Sequence, residues 1–263
     1  MFPIKDNIPY RDFPVMTVLF IVLNVVAYLF LQKKSGIDFS GGSLDQTALT
    51  HYAAIPYELT HPGKECDFSA QAQAIACQGR PGVTGTPDSQ ISTWLTPFTA
   101  MFSHAGLLHL GGNMLFLWIF GNNVEDAMGK VRFVAFYLLG GLAALALQVA
   151  IGPNEAVPTL GASGAVAGVL GGYLLLYPRA RVLTVVFIIL FFTVIELPAL
   201  VFLGIWFAQQ AIFGYLDLTD PTGGAGGVAY FAHIGGFAFG LLAIKLFASR
   251  RNEIADAPKH PVY

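Results

Sequence analysis

One serine and three histidines stand in settings where hydroxyl and imidazole chemistry could meet. Ser163 lies in Gly161-Ala162-Ser163-Gly164, and His233 opens Ala232-His233-Ile234-Gly235-Gly236. His104, His109 and Asn113 form a His-x4-His-x3-Asn pattern. A serine hydroxyl is inert at its own pKa and needs an adjacent base, for which imidazole is the commonest choice. Side-chain N–H groups near it could hold the oxyanion that such an attack creates. Each pattern also has a plainer reading. Small residues around a serine commonly pack helices in membranes, and the histidines with Asn113 could be polar helix contacts or metal ligands. A metal wants at least three convergent protein ligands, and no acidic residue or cysteine falls near them. The expectation is therefore no metal and no cofactor.

The elements that must position these groups are membrane spans. Of the 263 residues, 55% are hydrophobic and only 11% charged, against roughly 25% charged in soluble domains. Long apolar runs occur at about 14–32, 105–122, 131–151, 163–177, 197–214 and 228–248, each near the length that crosses about 30 Å of hydrocarbon. The first run has no small-residue cleavage site close behind it, so it reads as a span and not as a signal peptide. Residues 182–195 are also apolar and read as a buried or interfacial connection. A net charge of −2 gives no hint of a nucleic-acid partner.

Charge placement fixes the direction. With six spans and both termini in the cytosol, that side holds Lys5, Arg11, Lys130, Arg132, Arg179, Arg181, Lys245, Arg250, Arg251 and Lys259. The outer side keeps only Lys33, Lys34, Lys64 and Arg80, which is the positive-inside pattern. A seventh crossing at 182–195 would turn Arg250 and Arg251 outward. The expected fold is an all-α membrane protein, a six-helix bundle with a long first outer loop at 33–97. Residues 1–13 form a cytosolic segment, 14–250 the membrane domain and 251–263 a cytosolic tail. Cys66 and Cys77 lie in the long loop, where they close a small disulfide if it faces an oxidising compartment and are unpaired thiols otherwise.

Polar groups inside spans mark functional sites by default, and here they share one end. Ser163 to Tyr177 makes only about 22 Å of helix, so Ser163 should sit below the outer surface in a recess that admits water. Spans two, four and six all begin on the outer side, and His109, Ser163 and His233 fall within their first two turns. His233, Gly236 and Gly240 share a helical face, opposite a stripe of Gly164, Gly168 and Gly172. Glycines on both helices permit the close approach that a short hydroxyl needs to reach an imidazole.

With these motifs in order, the chain resembles the rhomboid family of intramembrane serine proteases. Phe120-Gly121 to Glu125, then Gly129 and Arg132-Phe133, are also similar to the family's turn between spans two and three. The resemblance covers about residues 94–248, plus the first span by position. It implies that Ser163 is the nucleophile and His233 its base, a dyad without a buried acid. Asn113, with His104 or His109 and the Ser163 peptide N–H, would hold the oxyanion. It further implies single-span transmembrane proteins as substrates, cut near the outer leaflet, and a lipid bilayer, that of a bacterial inner membrane, as the setting. Two departures stand out. Trp94 is followed by Leu95 where many members have arginine. Ala167 lies one turn after Ser163 where some place an aromatic ring against the histidine, so His233 must be held otherwise.

Other charged residues have plain readings. Glu125 and Asp126 read as cap groups or as ion-pair partners of Lys130 or Arg132, and Glu196 as a carboxylate at the start of the fifth helix. Asp217 and Asp220 read as loop carboxylates. Gly223 to Gly227 is a connector or a lid. A transporter is disfavoured because no inverted repeat of broken helices is visible. A pseudoprotease is disfavoured because Ser163 and His233 are both present.

Overall fold

A backbone in hydrocarbon must satisfy its own hydrogen bonds, so the apolar runs become helices. The structure is a computed structural model and describes residues 1–32, 50–69, 74–81, 83, 91–188, 191–219 and 228–249. Strand β1 (Phe2–Asp6) precedes helix α1 (Val15–Gln32), whose last turn is a π turn over Tyr28–Gln32. Short α2 (Pro56–Thr60), strands β2 (Cys66–Ser69) and β3 (Ala74–Cys77), and α3 (Thr96–Thr99) follow. Helix α4 (Leu107–Phe116) runs through a π turn at Leu117–Gly121 into α5 (Asn122–Met128). Then come α6 (Lys130–Ile151), α7 (Ser163–Leu176), β4 (Arg181–Ile188), β5 (Phe191–Pro198), α8 (Ala199–Thr219) and α9 (Tyr230–Phe247).

Among the described residues, α1, α6, α8 and α9 are long and apolar enough to cross a membrane, and α7 is a shorter apolar helix. The protein is a multi-pass membrane protein. Its polar connections sort to two ends. At one, Arg11 N–H donates to Asp126 (3.3 Å), Ser249 N–H to the Ala127 carbonyl (3.1 Å) and Arg132 to the Phe247 carbonyl (3.3 Å). At the other, His104 N–H donates to Gln32 (2.9 Å), Gly161 N–H to the Ala100 carbonyl (2.8 Å) and Ala232 N–H to Gln148 (3.2 Å). The second set gathers the starts of α4, α7 and α9.

Helix α7 is the core, with eleven residues buried from Gly164 to Leu176. On one side it is enclosed closely because α9 presents glycines to it. A Cβ at Gly236 would strike the carbonyl oxygen of Gly164, and one at Gly240 that of Gly168. The two glycine stripes read from the sequence are thus in contact. Around them, Phe20 stacks on Tyr137 at 4.2 Å and Phe120 meets Tyr173 edge-on at 4.9 Å.

The expectation of an all-α chain holds for the apolar helices but not for their connections, which carry two small sheets. Strands β1, β4 and β5 form an antiparallel sheet in that order, with Phe2 opposite Val185, Asp6 opposite Val182 and Arg181 opposite Pro198. The stretch 182–195 was legible only as an apolar connection, yet its Val, Thr, Ile and Phe content favours a pleated surface. The segment 1–13 contributes a strand to it. A second small sheet pairs β2 with β3, and Cys66 and Cys77, opposite one another there, are joined as a disulfide.

Three carboxylates also differ from expectation. Glu125 caps a helix, though not its own: it accepts from Met16 N–H (3.0 Å), Thr17 N–H (2.8 Å) and the Thr17 hydroxyl (2.8 Å), closing the start of α1. Glu196 is in β5, before α8 begins, and pairs with Arg181 at 2.9 Å across the hairpin. Asp217 lies in the last turns of α8 and not in a loop. Most of the loop at 33–49 and 84–90, the Gly223 to Gly227 stretch, Asp220, Arg250, Arg251 and the tail 251–263 lie outside the described residues.

Candidate active site

Ser163 is the first residue of α7. The chain reaches it through Thr159, bridged to Ala54 by two backbone hydrogen bonds of 3.0 and 2.8 Å, and through Gly161. Gly161 has φ +122°, a conformation that favours glycine. A Cβ on it would stand 2.8 Å from His109 Cε1 and 2.9 Å from His109 Nε2, and 3.4 Å from Ser163 Oγ. Glycine here does two things: it makes the turn into α7, and it leaves room for the His109 ring beside the hydroxyl.

His233 lies in the first turn of α9. Its Nε2 is 2.8 Å from Ser163 Oγ, and its Nδ1 is 2.8 Å from Gln210 Oε1 on α8. The Trp206 ring, one turn from Gln210, lies 5.9 Å from the imidazole centroid to centroid. The ring is therefore held from α8, which answers the lack of an aromatic residue at Ala167. The preceding residue, Ala232, is fixed by its N–H bond to Gln148 on α6.

The remaining polar residues complete one wall. His104 is fully buried, and its Nε2 accepts from Ala162 N–H at a long 3.5 Å. His109 Nδ1 accepts from Ala105 N–H at 3.4 Å, and the two imidazoles meet edge to face at 5.1 Å. Asn113, one turn beyond His109, is buried with its amide Nδ2 unpartnered among the described residues. A buried donor without an acceptor is costly, so this amide is available to any oxygen that enters. Beside Ser163, Gly141, Ala144, Gly164 and Ala232 line a cavity of about 30 Å³, room for a water or a small side chain.

All five residues singled out from the sequence thus lie at one end of the bundle, with direct contact between Ser163 and His233. The sequence reading passed over Gln148 and Gln210. The signal was there: each is an amide inside an apolar span, and polar groups in spans are expensive. Trp94 and Leu95, at the site of the first departure, are both exposed.

A family model described as a Rhomboid domain matches residues 92–250. Rhomboid protein 1, mitochondrial, of Saccharomyces cerevisiae is 34% identical over 54% of this chain and 38% of its own length. The mouse presenilin-associated rhomboid-like protein, mitochondrial, is 31% identical over 53% of this chain and 34% of its own. Rhomboid protease GluP of Bacillus subtilis is 28% identical over 61% of this chain and 24% of its own. The chain thus spans well under half the length of these relatives.

Proposed function

This chain belongs to the rhomboid family, and from that premise we propose that it is an intramembrane serine endopeptidase. One observation carries the reading: Ser163 Oγ and His233 Nε2 lie 2.8 Å apart on two different helices. Ser163 Oγ attacks the scissile carbonyl carbon while its proton passes to His233 Nε2. The carbonyl oxygen takes the negative charge, and His233 then gives the proton to the leaving amine. A water repeats the sequence on the acyl-serine and frees the enzyme. The unpartnered Asn113 amide, His109 and the Ser163 peptide N–H hold the oxyanion, with the positive end of the α7 dipole behind them. Of the two histidines, His109 takes this role, since its Nε2 edge flanks Gly161 beside the Ser163 hydroxyl, whereas His104 Nε2 is turned to Ala162 N–H.

We read the bundle as six spans, counting Leu107 through Met128 as the second and α7 as a short fourth. Residues 1–13 and 251–263 are cytosolic, 14–250 form the membrane domain, and 33–97 make the long outer loop. The basic residues at the Arg11, Lys130 and Arg132 end support that orientation. The membrane we propose is a bacterial inner membrane. Substrates are single-span proteins whose helix loosens near the outer leaflet, because an intact helix hides its carbonyls.

The test uses a single-span reporter in liposomes with wild type, Ser163→Ala and His233→Ala. Both variants should lose cleavage by on the order of 10³-fold or more, and a fluorophosphonate should label Ser163 only when His233 is intact. Asn113→Ala should lose about 10²–10³-fold. Cleavage that survives Ser163→Ala removes the serine mechanism.

A further inference from the structure

Gln210 contacts neither the hydroxyl nor the oxyanion wall, yet it is the second side chain hydrogen-bonded to the His233 ring among the described residues. It is buried, at 7% exposure, in the middle of an apolar helix. Its two amide atoms have opposite roles, and their neighbours determine which is which. Gln210 Nε2 faces the carbonyl oxygen of Trp206, one turn earlier, at 3.4 Å. A carbonyl oxygen can only accept, so the amide NH₂ must point there. Oε1 is then the atom at 2.8 Å from His233 Nδ1, and an amide oxygen can likewise only accept. The proton of neutral His233 must therefore sit on Nδ1, leaving the lone pair on Nε2 directed at Ser163 Oγ.

We propose that Gln210 is a positioning residue that fixes the tautomer and ring orientation of His233, so that its base nitrogen always faces the serine. The proposal rests on the Ser163–His233 reading above. In the serine proteases of water-soluble folds an ionised aspartate performs this task. A carboxylate at this depth would carry the cost of a charge inside the membrane. A neutral amide anchored to its own helix supplies the same acceptor without that charge. It also takes over the support that Ala167, with no ring of its own, cannot give.

The decisive comparison is Gln210→Met against Gln210→Glu in the full-length protein in liposomes. Methionine keeps the length and apolar volume but has no comparable acceptor; glutamate keeps the acceptor. Gln210→Met should lower kcat about 10–100-fold with KM within about twofold, and fluorophosphonate labelling of Ser163 should slow in parallel. The ¹⁵N resonances of His233 should pass from one tautomer, protonated on Nδ1, to a mixture. Gln210→Glu should recover most of the lost rate. A role in packing alone predicts the reverse order, since methionine suits an apolar span and glutamate does not. The inference is overturned if Gln210→Met keeps kcat within twofold and the same tautomer, or if Gln210→Glu is the slower variant. Failure of the dyad reading looks different: cleavage and labelling then survive Ser163→Ala whatever stands at position 210.

Discussion

Adding one methyl group at Gly236 should separate the two helices that carry Ser163 and His233. A Cβ there would lie 3.0 Å from the carbonyl carbon of Gly164 and 3.3 Å from Gly168 N, and closer still to the Gly164 oxygen. Comfortable contact needs about 3.5–4.0 Å, and all three atoms are helix backbone that cannot rotate away. The Gly164 oxygen is the controlling contact, and relieving it makes helices α7 and α9 part by about 1.5 Å. The Ser163–His233 bond, 2.8 Å in the native chain, would stretch to about 4 Å, past the limit of a useful hydrogen bond. A misplacement of that size costs about 10²-fold in rate, and the overpacking costs about 1–3 kcal/mol of stability. The matched control is Gly204→Ala on α8, where a Cβ meets nothing within 4 Å and a helix interior gains about 0.5–1 kcal/mol from alanine. Both variants would be followed by fluorophosphonate labelling of Ser163 and by thermal unfolding in micelles. If Gly236→Ala labels as fast as Gly204→Ala and melts no lower, the glycine contact does not set the geometry of the pair.

Glu125→Ala removes the acceptor for two backbone N–H groups and one hydroxyl at the start of α1, and should cost about 1–3 kcal/mol; an unchanged melting midpoint would contradict the cap. Asp6, bonded to Tyr173 at 2.5 Å and Asn123 at 2.8 Å, is raised by burial from 3.8 to about 7. The folded state then holds the extra proton, so stability is full below about pH 4, falls progressively up to about pH 7 and levels off above it. Asp6→Asn should flatten that fall, and an equal slope in both proteins would refute the assignment. The Cys66–Cys77 disulfide closes a loop of sequence separation 11 and should hold β2 and β3 together by about 2–3 kcal/mol; in Cys66→Ser/Cys77→Ser, added protease should cut this hairpin faster, and identical digestion would count against it.

The helical frame and the Ser163–His233 contact were legible because their signals are chemical and local. Apolar run length marks a span. Serine and histidine inside such a run are costly enough to be noticed, and glycine at intervals of three and four predicts which faces meet. The β4–β5 hairpin was not legible in the same way. Phe187, Phe191, Phe192, Val194 and Ile195 put apolar side chains on both faces of the strands, so no alternation betrays a sheet, and the pairing partner β1 lies far away in the sequence. Glu196 misled for a related reason: an acid just before an apolar helix resembles an N-terminal carboxylate, whereas the hairpin register sets it opposite Leu183 and beside Arg181. Gln210 was missed because an amide carries no charge and belongs to no pattern. Its partner is set by how α8 and α9 face one another, which sequence spacing within α8 does not encode.

Strand β1 leaves the ribosome ahead of α1 and finds its mate at Val182 to Val185, about 180 residues later. At the usual 5–20 residues per second this is a wait of roughly 10–40 s, during which α1, α6 and α7 can enter the bilayer. The opening segment therefore acts as a clasp that shuts after the earlier helices have been delivered. A nascent chain stalled ahead of Val182 should leave the Asp6 carboxylate open to chemical tagging from the compartment where translation occurs, and the completed chain should bury it.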